Sequence, residues 1–139
     1  RYITGSKVDM ILCNPPYFKV DKQSNLNESQ HYLLARHEIS TNLEEICKIA
    51  QRVLKSNGRL AMVHRPERFL DILDTMQAHN LAPKRIQFVY PKLGKEANML
   101  LIEAIKDGSR DGLKILPPLF IHNQDGSYTS EIHEIYYGK

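Results

Sequence analysis

The sequence predicts an α/β fold, and three observations predict it. Apolar runs of strand length recur at Val8–Cys13, Arg59–His64, Arg85–Tyr90 and Asn98–Ile105. Between the first three lie segments with apolar residues at helical spacing, one starting near Asn42 and one at Pro66. Both helical segments carry their own start and stop signals. Strands that alternate with helices in this way build a mainly parallel sheet, because a parallel return needs a crossover.

Taken in order, Arg1–Lys7 is a connection with Gly5-Ser6 as a turn, and Val8–Cys13, interrupted only by Asp9, reads as a buried strand. It stops abruptly at Asn14-Pro15-Pro16-Tyr17-Phe18. Lys19–Ser40 is polar and weakly periodic, and reads as a lid or a short helix that orders on substrate. Ser40-Thr41-Asn42 then caps a helix with Glu44 and Glu45 in its first turn. Leu43, Ile46, Ile49, Ala50, Val53 and Leu54 form its apolar face, Lys55 ends it, and Asn57-Gly58 supplies a left-handed stop.

Pro66 opens the second helix, whose stripe is Phe69, Leu70, Ile72, Leu73 and Met76 and whose end is Asn80. The connection between the last two strands is short enough for an antiparallel pair. Leu113–His122 contains Pro117-Pro118, so it is extended but cannot be an inner strand. Tyr128–Tyr137 fits a short helix or a terminal strand.

With 42% hydrophobic and 25% charged residues over 139 positions, the composition is that of a soluble globular protein. No apolar run approaches the ~20 residues needed to cross a bilayer, and no signal-peptide layout opens the chain, so the cytoplasm is the expected location. Cys13 and Cys47 suit two reduced, buried thiols better than a disulfide or a metal site. No metal-ligand spacing, Gly-rich phosphate loop, nucleophile elbow or repeat is present.

A net charge of +3 permits a nucleic-acid partner without demanding one. Lys19, Lys22, Arg36, His37, Lys84, Arg85, Lys92 and Lys95 would form an RNA-facing rim only if the fold gathers them on the face of Asn14. His37, beside Glu38, carries the residue types for acid–base work, but a structural or RNA-contacting role is the expectation. Tyr128, Tyr136 and Tyr137 have the faces to stack on bases, and packing onto the sheet is the expected use.

The chemistry is concentrated at Asn14–Phe18. Each proline fixes its own φ and holds the residue before it extended, so Asn14 and Pro15 are rigid. Their carbonyls and the Asn14 side-chain oxygen are acceptors leaving a strand end, and Tyr17 and Phe18 are flat faces beside them. A planar group bearing an NH2 suits such a pocket. Alkylation of that nitrogen is the reaction that needs it, since the lone pair is delocalised and two acceptors would orient it and stabilise the charge that develops. No metal is required.

Asn14-Pro-Pro-Tyr17 after an Asp-led apolar strand resembles the class I S-adenosylmethionine-dependent amino-methyltransferases, where this motif follows the fourth strand of a doubly wound sheet. In that family the Asn, the first Pro carbonyl and the Tyr hold the acceptor, roles that fall here on Asn14, Pro15 and Tyr17. The motif alone does not choose among adenine, cytosine, guanine and protein glutamine. Ala35-Arg-His-Glu38, Leu54-Lys-Ser-Asn-Gly58, Glu96-Ala-Asn98, Leu116-Pro-Pro-Leu119 and Tyr128-Thr-Ser-Glu131 are similar to the bacterial enzymes that methylate N6 of an adenine next to the anticodon of a valine tRNA.

The resemblance implies the C-terminal half of a Rossmann-like, seven-stranded methyltransferase sheet, with parallel strands and a terminal antiparallel pair. Residues 1–107 would belong to that domain and 108–139 would be an extension packed on it. It implies catalytic roles for Asn14, Pro15, Pro16 and Tyr17, substrate contacts from Phe18, Lys19, Arg36 and His37, S-adenosylmethionine as cofactor and tRNA as partner. The Gly-rich turn and the acidic ribose-binding residue of the cofactor site are absent from the sequence, so only Asn14 is expected to touch the cofactor, and the fragment alone is expected to be inactive. Two alternatives stand beside this reading: methylation of a protein glutamine, as in the release-factor methyltransferases, and a non-catalytic RNA-binding remnant of the fold. An exposed half-sheet would also favour self-association.

Overall fold

In the computed structural model, which describes residues 7–14 and 42–138 apart from the Tyr136 side chain, six strands form one mixed sheet. They are β1 (Val8–Cys13), β2 (Leu54–His64), β3 (Leu81–Tyr90), β4 (Met99–Lys106) and the two-residue strands β5 (Lys114–Ile115) and β6 (Leu119–Phe120). Helix α1 covers residues 42–53, α2 is Phe69–Ala78 after a 3-10 turn at Pro66–Arg68, and α3 is Ser130–Tyr137. The order across the sheet is β1-β2-β4-β3, with β5 and β6 both paired to β3.

β1 and β2 are parallel, whereas β4 lies antiparallel to both β2 and β3. It follows that β1, β2 and β3 all run the same way and end at one rim, with Asn14, His64 and Tyr90 as their last or next residues. The expected antiparallel pair is therefore present, and β4 is inserted between β2 and β3. The connection closes through Asn98 N donating to Val89 O at 2.9 Å.

The core lies on one face of this sheet. Leu43, Cys47 and Ala50 of α1 and Ile72 and Met76 of α2 meet Leu60, Met62, Ile86, Leu100 and Ile102 of the strands, all at most 2% exposed. Burying each such large side chain stabilises the fold by about 1.5–3 kcal/mol, and the helix periodicity is what brings them to one side. His79 ties the helices together through Glu44, 3.0 Å from its Nε2.

Four expectations are corrected. β1 is not buried: Ile11 and Cys13 pack on the core, while Met10 and Leu12 are 46% and 77% exposed, because α1 and α2 pack on the face that Ile11 and Cys13 share. Ile49 and Leu70 do not join the buried faces of their helices, since the true stripes run through Cys47 and through Ile72 and Met76. α1 ends one residue before Leu54, which is already in β2. Finally, β3 begins at Leu81 and not at Arg85, so Pro83 lies within it, tolerated because the register slips between Pro83 and Arg85.

The left-handed stop forms at Asn57, with φ 69°, but it is absorbed into β2 as a bulge. Val8 pairs with Leu54 and Met10 with Arg59, so the turn chemistry is spent inside the strand. Gly58 is needed there for space: a Cβ would sit 2.9 Å from Lys55 O and 3.1 Å from Asp9 O. The extended reading of 113–122 holds, as β5 and β6 pair only with β3. Thr129 begins α3, its Oγ1 accepting from Ile132 N at 3.4 Å.

Candidate active site

Asn14 leaves β1 exposed, at the rim where β2 and β3 also end. Its position is set by the parallel register, in which Cys13 lies opposite Met62. Ligands of open α/β sheets bind outside the carboxyl ends of the strands, and Asn14 lies at that rim. Pro15, Pro16, Tyr17, Phe18, Lys19, Lys22, Arg36 and His37 lie outside the described residues.

Beside Asn14, β2 ends in His64, which is only 2% exposed. The Arg65 backbone N–H donates to its Nδ1 at 2.8 Å, so the imidazole is neutral with its proton on Nε2. Burial pushes its pKa down, and the nearby Arg68 guanidinium pushes the same way. Arg68 itself is buried at the start of α2, with Nη1 donating to Asp71 Oδ2 at 3.1 Å and Nε finding no acceptor among the described residues. Sequence reading did not single out Arg68. A solvated Arg and a buried one look alike in a sequence, and the Asp three residues on was the available signal.

The basic residues divide. Lys92 and Lys95 lie in the loop after Tyr90, on the same rim as Asn14. Lys84 is near the opposite end of β3, donating to Ser109 Oγ at 3.4 Å and to Asp111 O. Arg85 lies in mid-sheet opposite Glu103. The single basic rim considered from the sequence is thus not formed by Lys84 and Arg85, because strand direction separates them from Lys92.

Both cysteines are free thiols. Burial pushes Cys13 up, and burial, Glu44 and Cys13 together push Cys47 up to about 12. Neither is a ready thiolate at neutral pH. Among the described residues no group of metal-ligating side chains is assembled, and no helix is long and apolar enough to cross a membrane.

For a methyl-donating cofactor the described residues offer Asn14 at the rim and no cradle: none of the glycines lies at the ends of β1 or β2 on that side. The described residues therefore do not supply a site for the donor's ribose and carboxylate.

No family model matches the chain. In sequence it is 29% identical over 130 residues to the tRNA1(Val) (adenine(37)-N6)-methyltransferase of Porphyromonas gingivalis strain W83, covering 93% of this chain and 50% of that protein. It is 27% identical over 132 residues to the protein of that name in Aliivibrio salmonicida, covering 91% of this chain and 51% of the relative. The chain spans about half the length of the curated relatives it matches.

Among solved structures, a predicted O-methyltransferase of Agrobacterium tumefaciens superposes with a TM-score of 0.68 at 23% identity, over 94% of this chain and 51% of that one. A protein of Thermus thermophilus classed as a DNA modification methylase, in complex with S-adenosyl-L-methionine, gives a TM-score of 0.50 at 15% identity, over 95% and 66%. The chain shares its fold with these solved methyltransferase structures.

Proposed function

We propose that this chain is the substrate-side part of an S-adenosylmethionine-dependent N-methyltransferase acting on the exocyclic N6 amino group of an adenine in tRNA. The observation that carries this is Asn14, exposed where β1 leaves the rim of a methyltransferase sheet and followed in sequence by Pro-Pro-Tyr. The names of the relatives, which all specify adenine N6 in a valine tRNA, support the choice of acceptor.

In this reading Asn14 Oδ1 and the Pro15 carbonyl accept the two N–H hydrogens of the amino group and turn its lone pair toward the donor. Pro16 stiffens the loop and Tyr17 stacks on the unpaired base, while Phe18, Lys19, Arg36 and His37 contact the RNA around it. When bound, the cofactor supplies an electrophilic methyl group, and it would be held largely by the part of the relatives that this chain does not span. The amino proton leaves to solvent after transfer, so no base is required of His37 or His64.

Labelled methyl transfer to unmodified tRNA and to a protein release factor tests the reading, using the chain alone and fused to the half of the Porphyromonas gingivalis relative that it does not span. The fused protein should label tRNA and bind S-adenosylmethionine by calorimetry. Asn14→Ala should lower transfer by about 10²–10³-fold, the usual cost of one positioned polar group at a reacting centre. Because Asn14 is exposed, the variant should melt with the parent. Label in the release factor alone would replace adenine by a glutamine amide. Tight RNA binding without cofactor binding would leave a non-catalytic remnant. We further propose that the open face and edge of β1 make the isolated chain self-associate.

A further inference from the structure

The segment after β6 builds a rigid aromatic surface. His122 and Tyr128 form an isolated antiparallel bridge, and their rings stack with centroids 5.1 Å apart and planes 16° from parallel. The turn between them is over-determined. Asn123 N donates to Ser127 O at 2.7 Å, Asp125 Oδ1 accepts from Ser127 N at 2.9 Å and from its Oγ at 2.7 Å, and Asn123 Nδ2 donates to Tyr128 O at 3.1 Å. Gly126, with φ 92°, closes it. Tyr128 nevertheless remains 42% exposed.

That surface is fixed to the rim that carries Asn14. Ile121 N donates to Tyr90 O and His122 N to Pro91 O, which extends the pairing of β6 past the end of β3. Gln124 Nε2 donates to Leu93 O at 3.0 Å, so the turn is bonded to the loop that bears Lys92 and Lys95. Carboxylates are also near: Glu96 follows in that loop, and Glu131 is in the first turn of α3, while Asp125 is engaged within the turn. From β1 through β2, β4 and β3 to β6 the sheet takes four steps of about 4.8 Å, so the aromatic pair begins roughly 19 Å from Asn14 along the rim.

We propose that the His122–Tyr128 stack, with Lys92 and Lys95 beside it, is a platform for an unpaired RNA base in the same single-stranded loop as the one presented to Asn14, a few nucleotides along. The inference rests on the RNA-directed reading above and adds where the substrate is gripped. An unpaired base offers a π-face to a ring already held in place, so little side-chain freedom is lost on binding, and a lysine meets the adjoining phosphate. Duplex RNA, whose bases are stacked inside, cannot use the platform.

Fluorescence anisotropy with the 139-residue chain tests it, using an RNA hairpin with an adenine-containing loop and a fully paired duplex of the same length. The hairpin should bind more tightly than the duplex. Tyr128→Ala and Tyr128→Leu should each weaken hairpin binding about tenfold, and Tyr128→Phe should restore it, as expected for one stacked base. The leucine variant keeps apolar bulk without a flat face, so it separates loss of stacking from loss of packing. Equal binding by the leucine variant and the parent, or no preference for the hairpin, overturns the platform. Methyl transfer scored on the fused protein distinguishes the two failures: transfer that ignores Tyr128 sinks the platform alone, and Tyr128-dependent binding without transfer sinks the enzymatic reading alone.

Discussion

His64 shows what a single buried residue at the rim contributes. Its Nδ1 accepts from Arg65 N, and burial together with Arg68 holds its pKa below the ordinary value of 6.5. In the unfolded chain the imidazole takes a proton near 6.5, whereas the folded one resists it, so the unfolded state binds more protons as pH falls. Stability from this residue is therefore fully present above 6.5 and is lost as pH drops below it. Urea denaturation at about pH 7.5 and about pH 5.5, either side of that value, should show the parent losing more stability than His64→Gln, which cannot titrate. Equal losses would mean that His64 is protonated without cost, and its neutral tautomer at the rim would be wrong. An NMR titration of the ring C–H gives the same answer directly.

At the scale of elements, β4 is tied to the junction of α1 and β2 by Lys106, which donates Nζ to Leu54 O at 2.8 Å while only 7% exposed. Lys106→Met keeps the bulk and removes the bond from a charged donor to Leu54 O, which should cost about 1–3 kcal/mol in chemical denaturation. Gly58→Ala, with its Cβ against two backbone oxygens, should cost about 1–3 kcal/mol by overpacking.

These two sites mark where the sequence could be read and where it could not. β1 and the start of the Pro66 helix follow from local signals, an apolar run and a proline, and both appear at the expected residues. Asn57-Gly58 was equally visible as a left-handed pair, but whether it ends a helix or bulges a strand depends on the β1 backbone beside it, which is a tertiary fact. The insertion of β4 between β2 and β3 is of the same kind, since a short connection specifies a hairpin and not the neighbour on its other side. The place of Asn14 at a strand end was legible because the apolar run stops there. Arg68 and the His122–Tyr128 stack were not, because burial and ring stacking are made by residues far apart or by a turn whose geometry the sequence only permits.

On the scale of the whole molecule, α1 and α2 both cover one face of the sheet, and the other face is apolar as well. Ala61, Val63 and Leu101 floor an open groove of about 310 Å³ there, with Arg85, Gln87 and Glu103 at its side. Met10 and Leu12 continue this face out to β1, and among the described residues nothing pairs with the outer edge of that strand. A parallel edge strand with exposed Leu and Met offers unpaired backbone groups and apolar area together, the combination that recruits another chain. The salt bridge of Lys55 with Asp9, at 3.2 Å, guards the start of β1, and no charge within the strand guards its end. Sedimentation velocity of the isolated chain should therefore show association that grows with concentration. Leu12→Lys, which puts a solvated cation on the open edge without touching the packed Ile11 and Cys13, should shift it toward monomer. A parent that stays monomeric at high concentration would show that the edge is already covered within the chain.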